Sequence, residues 1–370
     1  MAVFKNLQVG DPAPWFHQRS YDQEKYHFDS VAGRYMVLCF FATAADSRSK
    51  AALEHVYAMG DIFNDRHAAF FGVSNDPTDE TNGRVANRMP GYRFFWDFDF
   101  KISKLYAACA ADESDPRASF ARRWVILDPT LRVISIIQFE KDGSDLVTLT
   151  NLLRALPPVD MFAGMELQAP VILLPNVFSH ELCDRLVSLY DMHGGRESGV
   201  MREINGRTVG VREDDFKRRS DYHIEDKELQ KELRTRIRRT VVPEIAKVHQ
   251  FTVTRMERFI VACYKAEDGG HFSAHRDNTT AGTAHRRFAT SINLNDDFEG
   301  GELRFPEYGS RSFRIPKGAA VVFSCSLLHK VNPVTKGRRY AFLPFLYDDA
   351  AAAIREKNAG TIDYLPVKLA

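Results

Sequence analysis

Three short, uninterrupted apolar runs stand out in the first 130 residues: 35–41 (YMVLCFF), 68–73 (AAFFGV) and 124–127 (WVIL). Runs of this length without polar alternation fit strands of a sheet covered on both faces. Between the first two, 49–62 is Ala-rich and spaces Leu53, Val56 and Met59 along one helical face. Strand, helix, strand predicts a βαβ crossover and a small α/β domain. Pro and Gly then break every period across 156–169 (LPPVDMFAGMELQA), which reads as a linker.

Beyond that seam the pattern changes. Ser179 can cap a helix carrying Leu182, Leu186 and Leu189, closed by Gly194 and Gly195. A second helix is expected from Asp226, with Leu229, Leu233 and Ile237 on one stripe. From Thr252 onward, β-branched and aromatic segments (256–264, 287–295, 302–305, 312–315, 319–323 and 339–346) are separated by Gly, Pro, Asn and Asp. Closely spaced short strands predict a β-sandwich or barrel. The chain is therefore expected to divide into a domain at 1–155, a linker at 156–168 and a second domain at 169–370.

Charge and cysteine content narrow the function. Lys plus Arg is 50 and Asp plus Glu 49, a net charge of +1, so neither a nucleic-acid partner nor a polybasic membrane address is expected. At 44% hydrophobic residues, global disorder is excluded. The five cysteines are scattered and never spaced as CxxC, against a disulfide scaffold or a thiolate zinc site. The start of the chain lacks a secretory pattern, and no stretch approaches the ~18 apolar residues of a membrane helix. A cytoplasmic protein without a membrane partner is expected.

Candidate chemistry lies in the β-rich half. His275 and Asp277 are two residues apart, so on a strand both face the same side. His329 follows 52 residues after Asp277. Two imidazoles and one carboxylate, leaving positions open, suit non-haem Fe(II) and oxygen chemistry. Spacing alone also fits a polar strand face, and His27-Phe28-Asp29 repeats the pattern in the first half. Arg339, ten residues past His329, offers a bidentate fork for a dicarboxylate, or else a strand-end surface charge. Arg338 points to the opposite face, so one of the two enters a pocket. Tyr264 either gives a hydroxyl to the same ligand or is a core aromatic with a wet tip. The polar stretch 193–223 reads as a mobile lid or a plain solvent loop.

In order, Tyr264, GGHFSAHRD (269–277), RRFATSINLNDDFEGGELRF (286–305), IPKGAAVVF (315–323) and HKVNPVTKGRRYAF (329–342) resemble the prolyl-4-hydroxylase branch of the Fe(II)/2-oxoglutarate dioxygenases. APVILLPNVFSHELCDRL (169–186) resembles that branch's opening strand and first helix. The resemblance covers about 200 residues and implies a double-stranded β-helix (jelly roll) with flanking helices. It makes His275, Asp277 and His329 the iron ligands, and places Arg339 on the distal carboxylate of 2-oxoglutarate with Tyr264 beside it. Fe(II), 2-oxoglutarate and O2 follow, with ascorbate as reductant and a small-molecule or peptidyl substrate. Asn293 stands where many members have Tyr, which puts that contact with the co-substrate in question. Halogenating relatives lack the carboxylate ligand, so Asp277 points to hydroxylation.

VGDPAPWF (9–16), MVLCFFAT (36–43), FFGVSNDP (70–77) and RRWVILDP (122–129) resemble the peroxiredoxin-like redoxins of the thioredoxin fold. That family's reactive Cys would lie within 42–54 (ATAADSRSKAALE), which has none. Cys39 lies inside the strand, where a thiol is packing, and Arg122 matches a supporting arginine with nothing to activate. The domain is expected to bind, to present substrate or to form a homodimer. Two rival readings are a non-catalytic binding protein on a retained β-helix and a thiol peroxidase.

Overall fold

The apolar run at 35–41 becomes the central strand of a five-stranded sheet. A computed structural model describes residues 6–112, 114–204 and 206–363. The chain divides into two units, Met1–Gln168 with Pro306–Gly309, and Ala169–Phe305 with Ser310–Ala370. The first unit holds β1 (Tyr35–Ala42), α1 (Ser47–Tyr57), β2 (Ala68–Ser74), β3 (Tyr92–Trp96), β4 (Arg123–Leu127), β5 (Val133–Gln138) and α2 (Ser144–Ala155). Its strand order is β3-β2-β1-β4-β5. β1, β2 and β3 run parallel, β4 pairs antiparallel with β1, and β5 pairs antiparallel with β4 and so runs in the direction of β1. Val37, Cys39 and Phe41 pack with Leu53 and Val56 of α1 and Leu149 and Leu153 of α2. This is a thioredoxin-like α/β fold.

Asp46 begins α1, its carboxylate accepting from the backbone N–H groups of Arg48 and Ser49 at 3.1 Å each. The helix is shorter than its apolar spacing predicts, because Met59 and Ile62 bury in the turns that follow it. Cys39 is fully buried, and burial pushes its thiol well above the ordinary value. All five cysteines are buried, and none forms a disulfide. A thiolate nucleophile in this unit has no candidate among them.

The second unit opens with a short strand, Ile172–Leu174, paired antiparallel with 320–322, followed by α3 (His180–His193), capped by Ser179 Oγ accepting from Leu182 N at 3.3 Å. After β6 (Lys217–Arg218) and β7 (Ser220–His223) come α4 (Lys227–Thr240) and α5 (Val242–His249). Asp226 caps α4 through Leu229 N at 2.9 Å. The strands that follow are β8 (Ile260–Lys265), β9 (His271–His275), β10 (Phe288–Asn293), β11 (Leu303–Arg304), β12 (Ser312–Phe313), β13 (Ala320–Ser324), β14 (His329–Val331), β15 (Arg338–Phe342) and β16 (Phe345–Tyr347). One antiparallel sheet runs β7-β8-β15-β10-β13, with β16 continuing beside β10. The other runs β6-β9-β14-β11-β12. The two sheets form the jelly roll, a mainly-β domain with flanking helices.

Strand alternation decides which side chains reach its interior. On the larger sheet Val261, Cys263, Ile292, Tyr340 and Phe342 pack in one core with Leu182 and Leu186 of α3 and Leu233 and Ile237 of α4. Tyr264, Ser291 and Arg339, on the opposite parity, line the pocket between the sheets.

Two expectations need correction. The segment 193–223 is not a loop: it holds Arg196–Glu197, Val200–Ile204, Arg207–Val211, β6 and β7, and it buries Lys217, Arg219 and Asp221. Its polarity misleads because its charges pair internally. The predicted strands 256–264 and 339–346 are each split. Arg258, at φ +64°, separates Arg255–Glu257 from β8, and Pro344, which has no N–H, falls between β15 and β16. Among the described residues, no helix is long and apolar enough to cross a membrane.

Candidate metal centre and its anion pocket

His275 closes β9, His329 opens β14, and the two are directly paired across the antiparallel ladder. Asp277, just past β9, turns its carboxylate between them: Oδ1 lies 3.5 Å from His275 Nε2 and Oδ2 lies 3.4 Å from His329 Nε2. One donor atom from each residue lies within 4.8 Å of the others. Each imidazole makes its Nδ1 contact with a backbone carbonyl two residues back, Ser273 at 2.7 Å and Leu327 at 3.0 Å. That bond fixes the tautomer and leaves both Nε2 lone pairs facing the carboxylate.

The electrostatics agree with a ligand set. Burial, reinforced by His275, pushes His329 down to about 4 and keeps it a neutral donor at neutral pH. Burial alone would raise the Asp277 carboxyl, but His329 and His275 outweigh it and hold it well below the usual carboxylate range. Two imidazoles and an ionised carboxylate on one side of a pocket fit a divalent first-row metal such as Fe(II), with positions left open. No other such group of three occurs among the described residues; His27 and Asp29, 3.9 Å apart, gain no third member.

Arg339 lines the same pocket at 3% exposure. Its Nε and Nη2 donate to Asn293 Oδ1 at 3.1 and 3.0 Å, and Nη2 also donates to Ser291 Oγ at 2.9 Å. These acceptors are neutral, and Arg339 has no carboxylate ion-pair partner among the described residues. Arg338, by contrast, is exposed and pairs with Glu267 at 3.1 Å. Asn293 therefore holds the arginine, and its own amide donates to Ile315 O at 2.8 Å. Asn293→Ala is expected to weaken 2-oxoglutarate binding about tenfold, the scale of a hydrogen bond to a charged group, with kcat little changed; a 2-oxoglutarate titration checks this.

Tyr264 sits directly opposite Arg339 in the β8–β15 register, with the guanidinium 5.4 Å from its ring centre. Its hydroxyl accepts from Arg219 Nη1 at 3.4 Å. Arg219 forms a two-pronged ion pair with Asp221, both contacts 2.7 Å, with the side chains 3% and 6% exposed. Sequence reasoning missed Arg219, Asp221 and Ser291. An Arg-x-Asp spacing on a strand was the available signal for the pair, but it lay in a segment read as a loop. Arg219 and Arg258 hold the Asp221 carboxyl well below its usual range against the effect of burial. Its stabilising contribution is therefore complete above the unfolded value of about 4, and is lost as pH falls toward the depressed folded one. Asp221→Asn, which strands Arg219, is expected to cost about 3–5 kcal/mol at pH 7, read by urea unfolding.

Residues 259–347 match the 2OG-Fe(II) oxygenase superfamily, and residues 9–135 match the AhpC/TSA family. Each half of the chain thus carries one stretch similar to one of these two families. A PKHD-type hydroxylase of Synechococcus sp. (strain JA-2-3B'a(2-13)) is 33% identical over 89 residues, 22% of this chain and 39% of that protein. Another, from Cupriavidus metallidurans, is 38% identical over 85 residues, 20% of this chain and 37% of its own length. The matched stretch spans about two fifths of these curated relatives. Among solved structures, a prolyl hydroxylase from Trichoplax adhaerens, in complex with a hypoxia inducible factor peptide, is similar at 16% identity. Its TM-score is 0.42, over 58% of this chain and 97% of that one.

Proposed function

We propose that the protein is an Fe(II)- and 2-oxoglutarate-dependent hydroxylase acting on an unactivated C–H bond. The observation that carries this reading is a buried arginine without a carboxylate partner in the pocket that holds the His275–Asp277–His329 group. A guanidinium shielded from water is costly unless an anion meets it. A dicarboxylate spanning from that arginine to a metal accounts for both features at once.

His275, Asp277 and His329 would hold Fe(II), and Arg339 would take the distal carboxylate of 2-oxoglutarate, with Tyr264 beside it. When bound, the metal supplies oxygen activation, so that R–H, O2 and 2-oxoglutarate give R–OH, succinate and CO2. The chain's own part is positional. Ser291 and Asn293 aim the guanidinium, the carbonyls of Ser273 and Leu327 aim the imidazoles, and Phe272, stacked 3.5 Å centre to centre on His275, keeps water from one flank. Ascorbate would serve as an external reductant. The substrate is a small molecule or a peptidyl side chain. The experiment is aerobic incubation with Fe(II) and 2-oxoglutarate, scoring succinate across a substrate panel with mass spectrometry for a +16 product. Fe(II)-dependent succinate is expected; a chain that binds neither Fe(II) nor 2-oxoglutarate would favour a non-catalytic scaffold.

A further inference from the structure

The redoxin-like unit keeps a cavity of about 670 Å3 beside the start of α1, although no cysteine lines it. Its walls combine three arginines, Arg48, Arg117 and Arg122, with the rings of Phe100, Phe120 and Phe139.

The charges of this wall do not cancel. Arg122 is satisfied: Nη2 meets Asp46 Oδ2 and Nε donates to Phe41 O, each at 2.9 Å. Asp76, on the rim, is also satisfied. It accepts from Thr43 Oγ1 at 2.8 Å and Thr78 N at 2.9 Å, and lies 3.6 Å from Arg84. Arg48 is not. Its Nε and Nη2 are shielded from solvent and have no hydrogen-bond partner, and its guanidinium lies 5.5 Å from the centre of the Phe139 ring. Arg117 has no ion-pair partner among the described residues, and its guanidinium sits 6.0 Å from the centre of Phe100. Two surplus cations, each beside an aromatic ring, face one cavity. The orphaned buried donors of Arg48 call for an acceptor, and the exposed Arg117 adds a second positive charge at the same wall.

We propose that this cavity binds an organic carboxylate with an apolar or aromatic body. The carboxylate meets Arg48 and Arg117, and the body lies among Phe100, Phe120 and Phe139. Charge alone would suit inorganic phosphate as well; the three rings select an anion that also has apolar surface to bury. This site is independent of the oxygenase reading, because every residue of it lies in the first unit.

The test is calorimetric titration of the full chain with phenylacetate, its neutral analogue phenylacetamide, and inorganic phosphate. Saturable binding of one phenylacetate per chain is expected, with phenylacetamide and phosphate each weaker by about tenfold or more. Arg48→Gln should weaken phenylacetate by about tenfold. Arg117→Gln, at an exposed position where folding is not at risk, should weaken it several-fold with an unchanged Tm. Arg339→Ala should leave it intact, which separates this site from the oxygenase pocket. Absent saturation, equal binding of any of the three probes, indifference to both arginine variants, or loss in Arg339→Ala would each overturn the proposal.

Discussion

Substituting His275 or His329 by alanine is expected to abolish Fe(II)-dependent succinate formation and lower iron stoichiometry from one per chain toward zero. Each imidazole is one of three candidate donors, so its loss should exceed the roughly 10–100-fold that follows when a group merely orienting a ligand is removed. The variants should keep their fold, because both residues sit at strand ends and their backbone pairing across β9 and β14 does not need the ring. Circular dichroism and Tm separate loss of metal from loss of structure. Full activity and full iron content in either variant would remove that residue from the ligand set.

The second large effect is expected at Arg339. Arg339→Ala leaves Asn293 and Ser291 without their donor and removes the unpaired buried cation. The KM for 2-oxoglutarate should rise by about 2–5 kcal/mol in binding terms, some thirtyfold or more. Arg339→Lys, which keeps the charge but not the fork, should recover only part of this. An unchanged KM in Arg339→Ala would mean that the dicarboxylate is held elsewhere.

The site was legible where chemistry is short-range in sequence. The two-residue spacing of His275 and Asp277 survives as a shared orientation because a strand alternates with period two, and the parity of Arg338 and Arg339 divides them between solvent and pocket for the same reason. Caps were equally readable: Ser179 and Asp226 each accept from the backbone three residues on. What the sequence hid depends on distant partners. The acceptors of Arg339 come from β10, nearly fifty residues earlier, and Arg219 and Asp221 look like surface charges until their pairing removes both from water. β3 and β5 lacked an unbroken apolar run, Arg93 interrupting one and Ser135 the other, so neither stood out. The helix α5 was obscured by Pro243, which is tolerated in its first turn.

In the first unit the absent thiol was visible from 42–54 alone, and the buried, unreactive setting of Cys39 agrees with it. What could not be read was that the cavity persists, because Arg48, Phe100 and Phe139 meet only after the sheet has formed. A thiol peroxidase would need a cysteine reachable from solvent, and all five are buried.

The most direct measurement is an anaerobic titration of the full chain with Fe(II) and 2-oxoglutarate, followed by visible absorption. If three donors and one arginine share a single pocket, a charge-transfer band should grow only when metal and keto-acid are both present. It should saturate at one Fe(II) per chain, vanish in His275→Ala, and need far more 2-oxoglutarate in Arg339→Ala. A band that survives His275→Ala, or Fe(II) and 2-oxoglutarate binding without influence on one another, would contradict it.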